Sequence, residues 1–287
     1  MIRTIKAHET PVLDLTFDPS GTLLATAGSD RTVRVFDMDK GYCTHNFRGH
    51  TGIVTVVRFH PDPQKLLLVS CSDDASVRVW DLYSQKNIAH FTNHMSPATG
   101  VAFAPDGWTM VSCSRDKVLN FYDLRRYTVL KTVPIYEEVE GLCVLPASMG
   151  TDLMDVNREE GFLLATAGGK GEIRVWNFVS KGKSTIPTCT CVHTQTLNLS
   201  NLPFTGLELN ASRNELIAIT SEQNLILLDA QFKKIKQIIG YNDQIIALKY
   251  VPNRNRDERT ECYATEIVAA TNSEQVRIYF IFLEDLF

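Results

Sequence analysis

Hydrophobic positions along this chain come in short runs that alternate with polar ones and are cut by turn residues, the pattern of strands rather than helices. The stretch from Ile53 to Phe91 shows it best. Ile53–Phe59 reads as a first strand, Pro61-Asp62-Pro63 as a turn and Leu66–Cys71 as a second strand. Asp73-Asp74-Ala75 makes a tight turn into Ser76–Trp80, and Asn87–Phe91 supplies a fourth strand. The unit is a four-stranded antiparallel sheet.

The unit recurs. Thr32–Asp37, Ser76–Asp81, Val118–Asp123 and Glu172–Asn177 share one pattern, with weaker copies at Leu225–Asp229 and Gln275–Phe280. The first three copies end near 37, 81 and 123, which are 44 and 42 residues apart; the later ones end near 177, 229 and 280, after gaps of 54, 52 and 51. Six repeats are therefore visible, and residues 1–287 are expected to form a single domain.

Gly49-His50 stands thirty residues before Trp80-Asp81, and the same frame recurs as His8 with Phe36-Asp37 and His94 with Tyr122-Asp123. This resembles the WD-repeat family, which implies an all-β fold: a WD-repeat β-propeller with six visible repeats of four antiparallel strands. It also implies a buried hydrogen-bond chain through His, Ser or Thr, Asp and Trp in each repeat. Repeat two supplies all four as His50, Ser70, Asp74 and Trp80. Repeat three has His94, Ser112 and Asp116, with Tyr122 in the Trp place. Repeat one has His8, Thr26 and Asp30 ahead of Phe36, which carries no polar hydrogen; repeat four has Lys170 where the Asp is expected. A tight turn buried between blades must pair its backbone donors, and a carboxylate there accepts from them and from the histidine.

Two closures are open. Ile2–Lys6 reads as the fourth strand of a preceding blade, while the sixth repeat ends soon after its third strand. Either the first strand completes the last blade and closes a six-bladed ring, or the chain is a piece or shortened form of a larger propeller with one edge left open.

Composition narrows the class. With 44% hydrophobic and 22% charged residues the chain can bury an ordinary core, and a net charge of −4 gives no general drive toward phosphate backbones. Seven cysteines, odd in number and scattered through apolar strands, suit reduced thiols in a cytosolic or nuclear compartment. No basic-then-apolar signal pattern opens the chain, and no apolar run approaches bilayer length.

Lys6–Val12, Leu23–Gly28, His45–His50, Phe59–Pro63, Ser114–Lys117 and Gly240–Asp243 together resemble WD-repeat subunits of the small-subunit processome, most strongly from Lys6 to Val144. The resemblance implies a nonenzymatic, protein-binding scaffold of the nucleus and nucleolus, acting in pre-ribosomal RNA processing and small ribosomal subunit biogenesis. Its partners would be other processome subunits, those of the UtpB subcomplex among them, with snoRNA and pre-ribosomal RNA reached through the complex. No cofactor, metal, membrane or small-molecule substrate is implied.

Other chemistries compete for the same residues. Ser, His and Asp within one repeat invite a hydrolase triad, but the set is repeated and lacks a nucleophile elbow or an oxyanion-hole motif. Cys189-Thr190-Cys191 with His193 offers three soft metal ligands and no second pair nearby. Arg34, Arg78, Arg174 and Arg277 occupy one repeat position, and Arg254–Arg259 and Lys233–Lys236 are further candidates for phosphate contact. Tyr122-Asp123-Leu124-Arg125 nearly matches the box by which some propellers dock onto cullin-ring ubiquitin ligases, so the alternative function is a ligase substrate receptor with Arg125 as adaptor contact. The acidic insertion Ala147–Gly161 is a candidate partner-binding loop.

Overall fold

A computed structural model of the chain describes residues 5–149, 161–180, 187–196, 202–210, 214–238, 245–252, 265–271 and 276–281, the last three ranges as backbone strands. Among the described residues twenty-three strands form six antiparallel sheets. Blade 1 is β1 Val12–Phe17, β2 Leu23–Gly28, β3 Thr32–Asp37 and β4 Cys43–Arg48. Blade 2 is β5 Val54–Phe59, β6 Leu67–Ser72, β7 Val77–Asp81 and β8 Lys86–Phe91. Blade 3 is β9 Ala98–Phe103, β10 Thr109–Ser114, β11 Val118–Asp123 and β12 Thr128–Pro134. Blade 4 is β13 Val139–Val144, β14 Gly161–Gly168, β15 Glu172–Val179 and β16 Thr188–Thr196. Blade 5 is β17 Phe204–Asn210, β18 Glu215–Thr220, β19 Leu225–Leu228 and β20 Lys234–Ile238. The sixth sheet holds β21 Ile245–Pro252, β22 Thr265–Thr271 and β23 Val276–Ile281.

The class is the expected one, an all-β propeller, but the count of complete blades is not. Among the described residues five blades have four strands and the sixth sheet has three. The strand expected to complete it, Ile2–Lys6, falls largely on residues outside those described; Ile5 and Lys6 lie in no strand.

Each sheet runs in chain order and repeats one register. The first strand carries a bulge near its start, at Val12/Asp14, Val54/Val56 and Val139/Gly141. The fourth carries one opposite the third-strand pairs Val35/Phe36, Val79/Trp80 and Val175/Trp176. These bulges raise the local twist that lets flat strands wind into blades. The core lies between blades: Val54 and Val57 of β5 pack on Ala25, Ala27, Val33 and Val35 of blade 1, all at 0% exposure. Fully burying one such Val or Leu side chain is worth roughly 1.5–3 kcal/mol, so neighbouring blades are held together mainly by stacked sheets.

Candidate functional site

In blade 2 the two ends of the polar set, an indole N–H that can only donate and a carboxylate that can only accept, fix the direction of its bonds around a neutral histidine. Trp80 Nε1–H can only donate, and it donates to Ser70 Oγ at 2.8 Å. The Ser70 hydroxyl gives its own proton to His50 Nε2 at 2.7 Å. Asp74 can only accept, so Nδ1 carries the proton and Nδ1–H reaches Asp74 Oδ2 at 3.1 Å. Asp74 also accepts the Thr51 N–H at 2.8 Å, the Ser76 N–H at 3.0 Å and the Ser76 hydroxyl at 2.5 Å. Burial pushes the His50 imidazole below its ordinary value against the pull of Asp74, so the ring is neutral, as this chain of donors requires. Burial works to raise the Asp74 carboxyl, but the Ser76 hydroxyl and the Thr51 amide hold it well below the usual carboxylate range.

Blade 3 repeats the arrangement with one exchange. His94 lies 2.7 Å from Ser112 Oγ and 2.9 Å from Asp116 Oδ2, and the Tyr122 hydroxyl, 3.1 Å from Ser112 Oγ, stands in for the indole N–H. Blade 1 stops one bond short: His8 lies 2.9 Å from both Thr26 Oγ1 and Asp30 Oδ2, and Phe36 offers Thr26 no donor. Sequence reasoning missed the supporting hydroxyls of Ser76 and of Thr32, which donates to Asp30 at 2.7 Å. Spacing pointed to them, since each sits two residues past its Asp.

The carboxylates organise the turn between the second and third strands. Arg31, Ala75 and Lys117 all take left-handed backbone there, with φ of 65°, 61° and 67°. Such conformations cost a non-glycine residue energy, which the Asp offsets by accepting the N–H two positions on: Thr32 at 3.1 Å, Ser76 at 3.0 Å and Val118 at 3.2 Å. Blade 4 solves the turn otherwise. Lys170 cannot accept, and the left-handed position is filled by Gly171, for which it is not strained. Ile135 replaces the histidine and is buried, while the Trp176 Nε1–H still donates to Thr166 Oγ1 at 3.0 Å.

A carboxylate that the sequence did not single out, Glu137, stands near this turn, and neither of its oxygens makes a hydrogen bond of ordinary geometry. It is buried, with Arg174 Nε 3.3 Å from its Oε1. Burial raises the Glu137 carboxyl above its ordinary value, and the Arg174 charge and the Lys170 backbone N–H work the other way. Arg174 further donates to the Ile135 carbonyl at 2.7 Å and to Glu172 at 2.8 Å. Arg34 behaves similarly, donating to the Ala7 carbonyl at 2.9 Å and to Asp30 at 3.2 Å. Two arginines of the repeated row are thus engaged with the loops entering their blades. Arg277 and Arg254–Arg259 have no described side chains; Lys233 and Lys234 are exposed at the start of β20.

Neighbouring blades also meet through polar contacts. His45 Nε2 donates to the Leu82 carbonyl at 3.0 Å, and His60 Nε2 to that of Gly107 at 2.9 Å. Asp14 accepts the Val57 N–H at 3.0 Å and pairs with Arg58. The first strands of five blades line a cavity of about 470 Å³ whose charged groups are Asp14, Arg58, Glu140 and Glu208. On another part of the surface Arg125 is exposed; its Nε lies 3.2 Å from Asp123 and its guanidinium 5.8 Å from the Trp108 ring, over which Lys65 Nζ sits at 3.4 Å.

Cys189 and Cys191 stand on the outer strand β16, and the Cys191 thiol lies 3.5 Å from the His193 carbonyl. Among the described residues no three His, Cys, Asp or Glu side chains gather where they could hold a metal ion. Most of the insertion after Leu145, residues 150–160, lies outside those described.

The WD domain, G-beta repeat family matches residues 1–37, 41–81 and 85–123. Transducin beta-like protein 3 of Bos taurus is 36% identical over 274 residues, covering 95% of this chain and 32% of that protein. The protein of the same name from Rattus norvegicus is 37% identical over 276 residues, with the same coverage of each. U3 small nucleolar RNA-associated protein 13 of Saccharomyces cerevisiae is 37% identical over 60 residues, 21% of this chain and 7% of that protein. The chain thus spans about a third of the length of the transducin beta-like relatives it matches. Residues 1–123 thus carry three WD repeats, the same antiparallel blade continues beyond them, and the chain is, along nearly all its length, similar to transducin beta-like protein 3.

Proposed function

We propose that this chain is a nonenzymatic scaffold of ribosome assembly, a subunit of the small-subunit processome acting in the nucleolus on pre-ribosomal RNA processing. The observation that carries the reading is the similarity to transducin beta-like protein 3 over 95% of the chain, joined by a shorter match to a U3 small nucleolar RNA-associated protein. The polar sets support it from the side of chemistry. Ser70 and Ser112 are fully buried and bonded on both sides, an arrangement suited to holding blades together and not to attacking a substrate. Positioning of partners on a rigid ring is then the mechanism, with RNA contacts secondary. Affinity purification of the tagged chain, with mass spectrometry and RNA sequencing, is expected to recover processome subunits, U3 small nucleolar RNA and pre-ribosomal RNA; a purification free of all three sinks the reading.

The second reading, a substrate receptor of a cullin-ring ubiquitin ligase, is favoured by the exposure of Arg125 just past β11. It predicts that Arg125→Ala abolishes adaptor capture. Pull-downs that contain no adaptor dispose of it.

A further inference from the structure

Of the arginines repeated on the third strands, three have described side chains, and two of these are satisfied within the chain. Arg34 donates to the Ala7 carbonyl and to Asp30, and Arg174 to the Ile135 carbonyl and to Glu172. Arg78 of β7 makes no hydrogen bond or ion pair with any described residue, although its Nε is buried. The reason lies in its turn. Asp74 precedes Arg78 as Asp30 precedes Arg34, but Asp74 Oδ2 is taken by the Thr51 N–H at 2.8 Å and Oδ1 by the Ser76 N–H at 3.0 Å. Gly49 stands where blade 1 has Ala7, and a Cβ on it would lie 3.0 Å from Arg78 Nη1, so the glycine leaves one side of the guanidinium clear of side chain. His90 lies directly opposite Arg78 on β8 and is exposed. Burial first, and then the Arg78 charge, push its imidazole below the ordinary value, so it is neutral at pH 7. Arg48, just before Gly49, is exposed. The acid felt at His90 is Asp74, whose oxygens are committed to the turn.

We propose that Arg78, with His90 opposite it and Arg48 beside the glycine, binds a phosphate of an RNA strand. A half-buried guanidinium without an acceptor is a donor set awaiting one, and its planar fork presents parallel N–H groups to two oxygens of one phosphate. The neutral imidazole adds a donor from one nitrogen. A phosphodiester carries a single charge on two free oxygens, which matches one fork. The doubly charged phosphate of a modified side chain is instead held by clustered arginines. A net charge of −4 gives the chain no general attraction to RNA, so a contact has to be local, and the unpaired Arg78 is such a point. The inference rests on the ribosome-assembly reading in one respect, that the ring works beside RNA.

In the test, a short fluorescent single-stranded RNA of mixed sequence is titrated with the full 287-residue chain and with its Arg78→Met variant, and anisotropy is read over a range of salt. Arg78→Met is expected to bind about threefold to tenfold more weakly, with the slope of log affinity against log salt smaller by about 0.7, the value for one phosphate contact on a single strand. Its melting temperature is expected to stay unchanged, because no described group loses a partner. Arg34→Met is the contrast: it strips Asp30 and the Ala7 carbonyl of a donor, so it is expected to lower the melting temperature and leave the salt slope alone. Equal affinity and slope in Arg78→Met overturn the proposal, as does a native chain that binds no RNA, or a melting temperature lowered as much as by Arg34→Met. Arg78-dependent capture from cells that survives ribonuclease and is lost after phosphatase treatment also overturns it, by assigning the site to a phosphorylated protein. The two ideas fail separately. Unchanged RNA binding by Arg78→Met, beside recovery of U3 small nucleolar RNA with the native chain, rejects the phosphate site alone. An Arg78-dependent RNA complex, beside a purification free of processome subunits and of U3, rejects the ribosome-assembly reading alone.

Discussion

Blades 2 and 4 build the same four-stranded sheet with the same left-handed residue in the turn between their second and third strands, yet they satisfy that turn with different chemistry. Blade 2 uses a neutral histidine and an aspartate from within the turn, with the alanine that follows held in left-handed backbone. Blade 4 uses a glycine in the turn and sets beside it a buried Glu137, paired with Arg174, that accepts no hydrogen bond of ordinary geometry. The blade therefore demands a left-handed residue in the turn and a filled volume beside it; a non-glycine residue there comes with an accepting aspartate, and a glycine stands without one. Blade 5 goes further: Ala218 and Leu228 replace the Ser and Trp, and the Thr220 hydroxyl accepts the Asn224 N–H at 3.1 Å to hold the turn.

The largest effect that can break this comparison is expected at Arg174. Arg174→Met leaves the buried Glu137 carboxyl without the cation beside it, and removal of one partner from such a pair costs about 3–5 kcal/mol. The loss, read from urea unfolding at pH 7, is expected to shrink in Glu137→Gln/Arg174→Met. If the double variant is no more stable than the single one, Glu137 is not the carboxylate that Arg174 compensates.

Ser70→Ala comes next. It strips the acceptor from Trp80 and the donor from His50, two buried groups, at roughly 2 kcal/mol. Thr166→Ala in blade 4 orphans the Trp176 N–H but no histidine, because Ile135 stands there, so it is expected to cost about half as much. Equal losses would show that the histidine bond contributes nothing.

Acid should separate the same blades. His50 and His94 have folded values depressed by burial, so the unfolded chain binds more protons below the ordinary value of 6.5. Their contribution is present above that pH and is lost as pH falls through 6.5 toward the folded values, at no more than about 1.4 kcal/mol per histidine per pH unit. Glu137 has the opposite sign: its raised carboxyl costs stability above the folded value, and the cost is relieved as pH falls. Hydrogen exchange followed from pH 7 to pH 5 is expected to show the turns of blades 2 and 3 loosening more than the turn of blade 4. A uniform change across the blades would mean that neither set governs its own turn.

How legible this was follows from the same contrast. Strand limits in blade 2 came within a residue or two of the observed ones because alternation and turn residues act locally. The sets in blades 1–3 could be named because their members recur at fixed spacing, and the family match ends with them at residue 123. Glu137 was not legible: it comes from a different segment, so no spacing rule connects it to Lys170. The joint loss of His at Ile135 and of Asp at Lys170 was the available signal.

The smallest effect concerns blade 1, which lies between the two solutions. Its His8, Thr26 and Asp30 form the set of blade 2 without the final donor, because Phe36 pairs with Leu24 where Tyr122 pairs with Met110 and Trp80 with Leu68. Phe36→Tyr adds an O–H that, in the geometry of Tyr122, would come within hydrogen-bond reach of Thr26 Oγ1, as the Tyr122 hydroxyl is of Ser112. A net gain of about 0.5–1 kcal/mol in unfolding free energy is expected, the ordinary worth of one buried hydrogen bond. The ring is already buried, so a hydroxyl that misses Thr26 would be left unpaired and the sign would reverse. A gain that vanishes in Thr26→Val/Phe36→Tyr relative to Thr26→Val would place the new bond on Thr26; a gain that survives would come from packing and leave blade 1 outside the polar class.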